Sequence, residues 1–228
     1  CKPNYNSVVA TFCHNIANNI EIRIDDPNTR LKLVYIDDVI KSFIKVLEKD
    51  NLDSNLVYNS VSPIYELTLS ELAEKIYNYK NFHENLIVQS VGSGLDRALH
   101  STYLSYLIKN NFSHNLRENI DKRGKFVEVL KTKDFGQISY LISPPGETRG
   151  RHFHHTKTEK FIVISGNAKI KFRNLLNNDT HEVLCSEEKS EVINTIPGWV
   201  HDITNIGEKD LAVLIWSNEI LLKKITLR

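Results

Sequence analysis

The sequence predicts an α+β chain in two parts, an α/β part over residues 1–110 and an all-β part over residues 111–228. Two observations support this division. Apolar residues recur at helical spacing in the first part, whereas short apolar runs separated by polar turns dominate after about residue 111. Gly92-Ser93-Gly94 interrupts the helical pattern, so we place the boundary between residues 92 and 111.

The composition is that of a globular protein without electrostatic bias. Of 228 residues, 41% are hydrophobic and 25% charged, and the formal net charge is +1. This charge gives no reason to expect a nucleic-acid or membrane partner, and no apolar run approaches the roughly 18 residues of a membrane span. The cysteines, Cys1, Cys13 and Cys185, are odd in number and widely spaced, which favours reduced thiols in a cytoplasmic protein.

The first part alternates helical segments with short strands. Ser7 or Asn6 is the expected cap of the first helix. Asp37 and Asp38 are expected to cap the second, and Thr68-Leu69-Ser70-Glu71 has the pattern of a capping box for the third. Helices are predicted over residues 7–20, 39–47, 69–79 and 96–108, and strands over residues 20–24, 31–36 and 57–60.

The second part consists of candidate strands separated by short polar turns such as Asn177-Asn178-Asp179. Several short strands at this spacing indicate a β-sandwich or barrel. The candidate strands span residues 127–130, 137–142, 160–164, 167–172, 191–196 and 211–216.

Three histidines and a glutamate lie between two of these strands. His152 and His154 are two residues apart, so on an extended strand they point to one face, whereas His155 points away and is not expected to be a ligand. Glu159 follows five residues later, beside an apolar run. A strand, a short connection and a second strand would bring the three side chains together. Two imidazoles and a carboxylate suit zinc or another borderline divalent metal.

The spacing of these residues resembles the two motifs of the cupin superfamily, a double-sheet jelly roll. The second motif expects a Pro-Gly turn, a histidine and an asparagine, which Pro197-Gly198, His201 and Asn205 match. The resemblance implies a divalent metal, zinc by preference, held by His152, His154, Glu159 and His201. A metal-free cupin with a hydrogen-bonded polar cluster is the alternative. The first motif expects a glycine, two histidines, a glutamate and a second glycine at fixed spacings. Gly146, His152, His154, Glu159 and Gly166 match all of these spacings.

A closer resemblance rests on six segments, residues 3–7, 33–39, 121–124, 136–139, 148–157 and 216–219. These segments resemble those of CapF-like enzymes of capsular polysaccharide synthesis. In that family an extended short-chain dehydrogenase domain precedes the cupin. The resemblance therefore implies that residues 1–110 are the C-terminal, substrate-side part of such a dehydrogenase and that residues 111–228 are the cupin.

The family resemblance implies the C-terminal portion of a bifunctional nucleotide-sugar enzyme. The cupin would epimerise a UDP-linked 4-keto-6-deoxyhexosamine at C3, and an upstream reductase would then reduce the ketone with NADPH. A ketone at C4 acidifies the C3 proton, so a base can remove it and an acid can return one on the other face. The enolate formed between these steps needs positive charge near its oxygen.

Several side chains are candidates for this chemistry. We take His154, His201 and Lys131 as catalytic candidates, although the histidines can act only if they are not fully committed to metal. The sequence does not fix the strand register. It therefore does not decide whether Lys131 or one of its neighbours, Glu128 and Tyr140, faces the site. Lys157 is either a phosphate contact or a surface charge. The candidates for substrate binding are Arg123, Gln137, Arg149 and Arg151.

Neither a G-x-x-G-x-x-G loop nor a Tyr-x-x-x-Lys pair occurs, so we do not expect this chain to bind NADPH by itself. The chain contains no methionine and opens on Cys1, from which we expect a piece of a longer protein.

Two other functions stay open: a non-catalytic cupin that positions substrate or forms a dimer, and a metal-dependent dioxygenase. A homodimer is expected because jelly rolls commonly associate through strand edges.

Overall fold

The computed structural model describes residues 2–48 and 60–220. The chain divides into two compact units, one of Cys1–His83 with Gln89–Ser113 and one of Glu84–Val88 with His114–Arg228. The predicted fold class, an α+β chain with an all-β second part, is confirmed. The domain limits drawn from the sequence stay a prediction. Among the described residues, no helix is long and apolar enough to cross a bilayer.

The first unit packs helices against a small antiparallel sheet. Its core joins the first, third and fifth helices with one face of the two-stranded sheet. The elements are α1 (Val8–Ala17), β1 (Arg30–Leu33), α2 (Ile36–Leu47), β2 (Tyr65–Thr68), α3 (Leu69–Lys80), α4 (Phe82–Asn85), α5 (Gly94–Leu104) and a 3₁₀ turn (Lys109–Asn111).

Two of the three helix caps predicted from the sequence are present in the structure. Ser7 accepts a hydrogen bond from the first turn of α1, and Thr68 and Glu71 form the reciprocal capping box of α3. The prediction that Asp37 and Asp38 cap α2 was wrong. They lie inside its first turn, where their charge faces the positive end of the helix dipole.

Two strand predictions in this unit also differ from the structure. Residues 20–24 form no strand, and the strand predicted over residues 31–36 ends at Leu33 because α2 begins at Ile36. The strand predicted over residues 57–60 falls almost wholly outside the described residues.

The second unit is a two-sheet β structure of the cupin type. One sheet has the strand order β10-β7-β12-β5-β4-β3 and the other β6-β11-β8-β9, and all pairs are antiparallel. The strands are β3 (Glu118–Asp121), β4 (Gly124–Thr132), β5 (Gly136–Ser143), β6 (Thr148–His152), β7 (Glu159–Ser165), β8 (Asn167–Asn174), β9 (Thr180–Ser186), β10 (Ile193–Asn194), β11 (Trp199–Asn205) and β12 (Leu211–Ser217).

The inner faces of the two sheets change from apolar to polar along the strands. On β12 the inward positions run from Leu211, which is buried in the apolar core, to Ser217. Ser217 pairs with Gln137 on one side and with Glu159 on the other. Because directly paired residues share a face, these three side chains form a polar row at one end of the sandwich.

Asn205, the asparagine of the second motif, joins the two sheets. Its side-chain amide donates to the carbonyl oxygens of Ser143 and Lys209, both at 2.8 Å, and its Oδ1 accepts from the backbone of Gly207 at 2.9 Å. Ser143 ends β5 of one sheet and Asn205 ends β11 of the other. Asn205 is only 1% exposed, so its loss would remove one buried hydrogen bond, to Ser143, and two partly buried ones, to Lys209 and Gly207.

We expect Asn205→Ala to lower the free energy of unfolding of the β unit by roughly 3 kcal/mol, because one buried and two partly buried hydrogen bonds are lost. Both tryptophans, Trp199 and Trp216, lie in this unit, so urea unfolding followed by tryptophan fluorescence reports on it. Asn194→Ala is the control, since its side chain makes one exposed contact. Equal destabilisation by both substitutions would contradict the role of Asn205.

Candidate metal centre

Both sheets contribute to the predicted ligand set. His201 lies on β11 and is paired with His152, the last residue of β6. Glu159 is the first residue of β7 in the other sheet, and its main chain is fixed by two hydrogen bonds with Thr195, at 2.7 and 2.8 Å. His154 belongs to the loop after β6. The four side chains therefore meet between the sheets, at their polar end.

His152 and His154 converge, but not for the reason that their spacing suggested. β6 ends at His152, so the two do not alternate along one strand. The Pro-Gly turn of the second motif holds His154 instead, because the N–H of Gly198 donates to the His154 carbonyl oxygen at 3.1 Å. The two motifs are thus joined by a main-chain hydrogen bond directly beside the ligands.

A β-bulge sets the position of His152. His201 pairs with His152 but Asp202 pairs with Gly150, which leaves Arg151 as the extra residue with a φ of 62°. Gly150 has a φ of +99°, and a Cβ there would come within 2.9 Å of the His201 carbonyl oxygen. Only glycine permits this close approach of β6 to β11.

The four side chains place their ligand atoms within one coordination sphere. One ligand atom from each of the four residues lies within 4.8 Å of all the others. Glu159 Oε2 lies 3.3 Å from His201 Nε2 and 3.6 Å from His154 Nε2. The ring centroid of His152 lies 4.8 Å from that of His154 and 4.9 Å from that of His201.

The donor set fits a divalent cation. His154 Nε2 and both ring nitrogens of His201 are buried and make no hydrogen bond within the described residues. Buried polar atoms in proteins are nearly always hydrogen-bonded, so nitrogens left without partners around a carboxylate make these four residues a candidate metal site. A metal ion would engage one nitrogen of each ring, so the second ring nitrogen of His201 is not explained by either alternative, the metal site or the hydrogen-bonded polar cluster.

The charge states also favour a cation. Burial lowers the pKa of His152, and it lowers the pKa of His154 to about 4. Burial alone would raise the pKa of Glu159, but its contacts with His201 and Lys157 outweigh burial and hold it at about 2. Near neutral pH His152 and His154 are therefore neutral and the glutamate is an anion, the forms that bind a divalent metal.

Sequence reasoning missed the contact between Lys157 and Glu159. The Lys157 ammonium lies 2.6 Å from Glu159 Oε1, on the side of the carboxylate away from the histidines. Its position two residues before Glu159 was visible in the sequence, but the loop that turns it inward was not.

The metal site opens into a cavity of about 880 Å³ within the β unit. The lining includes the predicted substrate residues Arg123, Gln137 and Arg149. Arg151 is exposed and Lys131 lies behind the wall, and neither is part of the lining. The other polar lining residues are Ser139, His152, His154, His155, Thr156, Lys157, Glu159, His201, Ser217 and Glu219.

Two arginines lie at the cavity wall and share one carboxylate. Arg149 Nη1 donates to the carbonyl oxygen of Arg123 at 3.0 Å and lies 3.8 Å from Asp121 Oδ1. The hydrogen bonds from Arg123 hold the pKa of Asp121 at about 2. Glu147 also acts electrostatically on Arg123, so the two arginines have two acidic neighbours.

Lys131 is separated from the cavity by its own ion pair. Its ammonium lies 3.0 Å from Glu128 Oε2, and Glu128 Oε1 accepts from Gln137 Nε2 at 3.1 Å. The main chain of Lys131 is hydrogen-bonded to Leu86 and Val88, at 2.7 and 2.8 Å. Its catalytic role stays a prediction.

Comparison with known proteins supports the resemblance to CapF-like enzymes. Residues 119–226 match the family described as "Polysaccharide biosynthesis C-terminal domain". The chain is 50% identical, over 219 residues, to a UDP-2-acetamido-2,6-beta-L-arabino-hexul-4-ose reductase of Pseudomonas aeruginosa strain PA103. The match covers 96% of this chain and 58% of that protein, so this chain spans little more than half its length.

Two solved structures of CapF proteins are similar to this chain. CapF in complex with the inhibitor 3-isopropenyl-tropolone has a TM-score of 0.91 and 40% identity, covering 98% of this chain and 64% of that one. The capsular polysaccharide assembling protein CapF of Staphylococcus aureus has a TM-score of 0.90 and 40% identity, covering 98% and 60%. The predicted resemblance to CapF-like enzymes is confirmed.

We expect the chain to bind one Zn²⁺ and His201→Ala to weaken binding by more than the roughly 10–100-fold typical of changes outside the ligand set. His155→Ala is the matched control, because His155 is not among the four clustered side chains. Isothermal titration of chelator-treated protein with Zn²⁺ measures both. Retained affinity in His201→Ala, or equal loss in His155→Ala, would contradict the ligand set.

Proposed function

We propose that this chain, which resembles CapF-like enzymes over nearly its whole length, is part of a nucleotide-sugar enzyme of surface polysaccharide synthesis whose cupin unit epimerises a UDP-linked 4-keto-6-deoxyhexosamine at C3. The observation that carries the proposal is a candidate metal site that opens into a cavity with arginines in its wall. The P. aeruginosa relative is a UDP-2-acetamido-2,6-beta-L-arabino-hexul-4-ose reductase, which supports the substrate class.

The cavity residues suit the two ends of such a substrate. Arg149 and Arg123 are placed to bind the diphosphate with charge-assisted hydrogen bonds. Gln137, Ser139 and Ser217 present polar groups to the sugar. Of the catalytic candidates, His154 and His201 line the cavity, but both are ligands in the metal site proposed below, so neither serves as the base through a nitrogen that holds the metal.

The metal we propose is zinc, held by His152, His154, Glu159 and His201. When bound, a divalent cation would supply the positive charge that stabilises the oxygen of the enolate. The apolar lining residues Phe126, Leu141 and Phe161 reduce the water around this oxygen, which strengthens the electrostatic effect.

A non-catalytic metal-binding cupin is the second candidate. Three histidines and one glutamate are four protein ligands, the number found in closed structural zinc sites. Under this proposal the metal stabilises the polar end of the sandwich, and the unit positions substrate or forms a homodimer. A homodimer and a cytoplasmic location are part of the proposal in either case; the free, buried Cys13 and Cys185 agree with a reducing compartment.

We expect the zinc-loaded chain to incorporate deuterium from D₂O at C3 of the UDP-4-keto-6-deoxyhexosamine, because enolisation exchanges that proton with solvent. Proton NMR of the recovered sugar nucleotide measures the exchange. The chelator-treated protein and His201→Ala should exchange at the rate of the buffer alone. Absence of exchange by folded, zinc-loaded wild-type protein would leave the non-catalytic function as the better account.

We expect Arg149→Met to weaken UDP binding by about 10–100-fold, since a hydrogen bond to a charged group contributes about 1.5–3 kcal/mol. Arg151→Met should bind UDP like the wild type, because Arg151 lies outside the cavity lining. Calorimetric titration with UDP measures both, and tryptophan fluorescence checks the fold. Equal losses in the two variants would place the diphosphate outside the cavity.

A further inference from the structure

The two carboxylate oxygens of Glu159 have different partners. Oε1 lies 2.6 Å from the Lys157 ammonium. Oε2 lies 3.3 Å from His201 Nε2 and 3.6 Å from His154 Nε2. One oxygen is thus engaged by a fixed positive charge, and only the other faces the unbonded imidazole nitrogens.

The loop around Lys157 is tied to the end of β12. Thr158 and Asn218 exchange two hydrogen bonds: the Thr158 N–H donates to Asn218 Oδ1 at 2.7 Å, and the Asn218 N–H donates to the Thr158 carbonyl oxygen at 3.2 Å. The Thr156 hydroxyl donates to Glu219 Oε1 at 2.7 Å. Lys157 lies between these two anchored residues, and its side chain is only 14% exposed. Its ammonium is therefore held at Glu159 rather than free to move through solvent.

We propose that Lys157 is a positioning residue that restricts Glu159 to one ligand oxygen. This inference rests on the proposed metal site. With Oε1 held by Lys157, the three imidazoles and Oε2 supply four donor atoms. A carboxylate that bound through both oxygens would supply a fifth and fill the position that zinc gains when it expands from four to five ligands.

The burial of Glu159 makes Lys157 necessary for this restriction. The Glu159 side chain is 10% exposed, so Oε1 without its ammonium partner would have little water to satisfy it. The nearest remaining positive charge would be the cation, and a small rotation of the carboxylate would bring Oε1 to it. Lys157 thereby keeps the fifth position, which zinc gains when it expands its coordination, free of protein atoms.

The test uses Co²⁺, whose visible absorption reports coordination number, as the probe in place of zinc. We expect Lys157→Met to lose visible intensity per bound Co²⁺ and to shift to shorter wavelength, because a two-oxygen Glu159 raises the coordination number. Lys157→Arg, which keeps a positive charge at Glu159, should retain the wild-type spectrum. Lys160→Met is the matched control, since the Lys160 ammonium lies 2.6 Å from Asn194 Oδ1 and not at a ligand.

Each outcome bears on a separate claim. A wild-type spectrum in folded Lys157→Met overturns the proposed role of Lys157, as does the same change in Lys160→Met. Failure of the wild-type protein to bind Co²⁺ overturns the metal site itself. Lys157→Gln, which removes the charge but keeps a polar side chain, carries the same test if Lys157→Met does not fold by tryptophan fluorescence.

Discussion

The β unit is arranged around one buried negative charge, the carboxylate of Glu159. This residue is 8% exposed, and an isolated carboxylate buried to that degree would cost several kcal/mol. Lys157 and His201, which reach it from a loop and from the opposite sheet, outweigh the effect of burial on its pKa. The ends of β6, β7 and β11 and the loop before β7 must therefore all be in place for the carboxylate to remain ionised.

The jelly roll supplies that arrangement because its inner face changes character along each strand. Apolar residues from both sheets fill one end and form the core. At the other end the paired row of Gln137, Ser217 and Glu159 faces His201. Asn205 closes the apolar end by hydrogen bonds between the sheets, so the polar end can stay open as a cavity without loss of the fold.

The ligand residues could be predicted from the sequence because their spacing is tied to chain connectivity: a strand, a loop and a turn of fixed lengths. The local geometry of the site could not be predicted in this way. The bulge at Arg151 depends on how β6 pairs with β11, a contact between residues about fifty positions apart. The predicted strands do not include β3, β9 or β11. Strands β3 and β9 are edge strands with mostly exposed residues and therefore give a weak apolar signal, whereas β11 is a central strand whose buried positions include the polar His201 and Asn205.

Side-chain partners were predicted less well than positions. Lys131 and Arg151 were chosen for their charge, yet Glu128 pairs with Lys131, and the bulge leaves Arg151 exposed outside the cavity lining. Lys157, for which the sequence leaves open a phosphate contact or a surface charge, pairs with Glu159 in the structure. In each case the deciding factor was the register of a neighbouring strand or the path of a loop, which pairwise sequence patterns do not contain.

Under the proposed function, the positions of the arginines and the candidate metal ligands would set how a substrate lies in the cavity. Arg149 and His152 share β6 and are three residues apart, so their main chains are separated by about 10 Å at most. A ligand with an anionic diphosphate at one end and a carbonyl oxygen at the other can satisfy both places only in one orientation. A free sugar lacks the group that Arg149 would hold, and a nucleotide without a keto sugar lacks the oxygen that the cation would attract. The same wall that binds the substrate would therefore also select it.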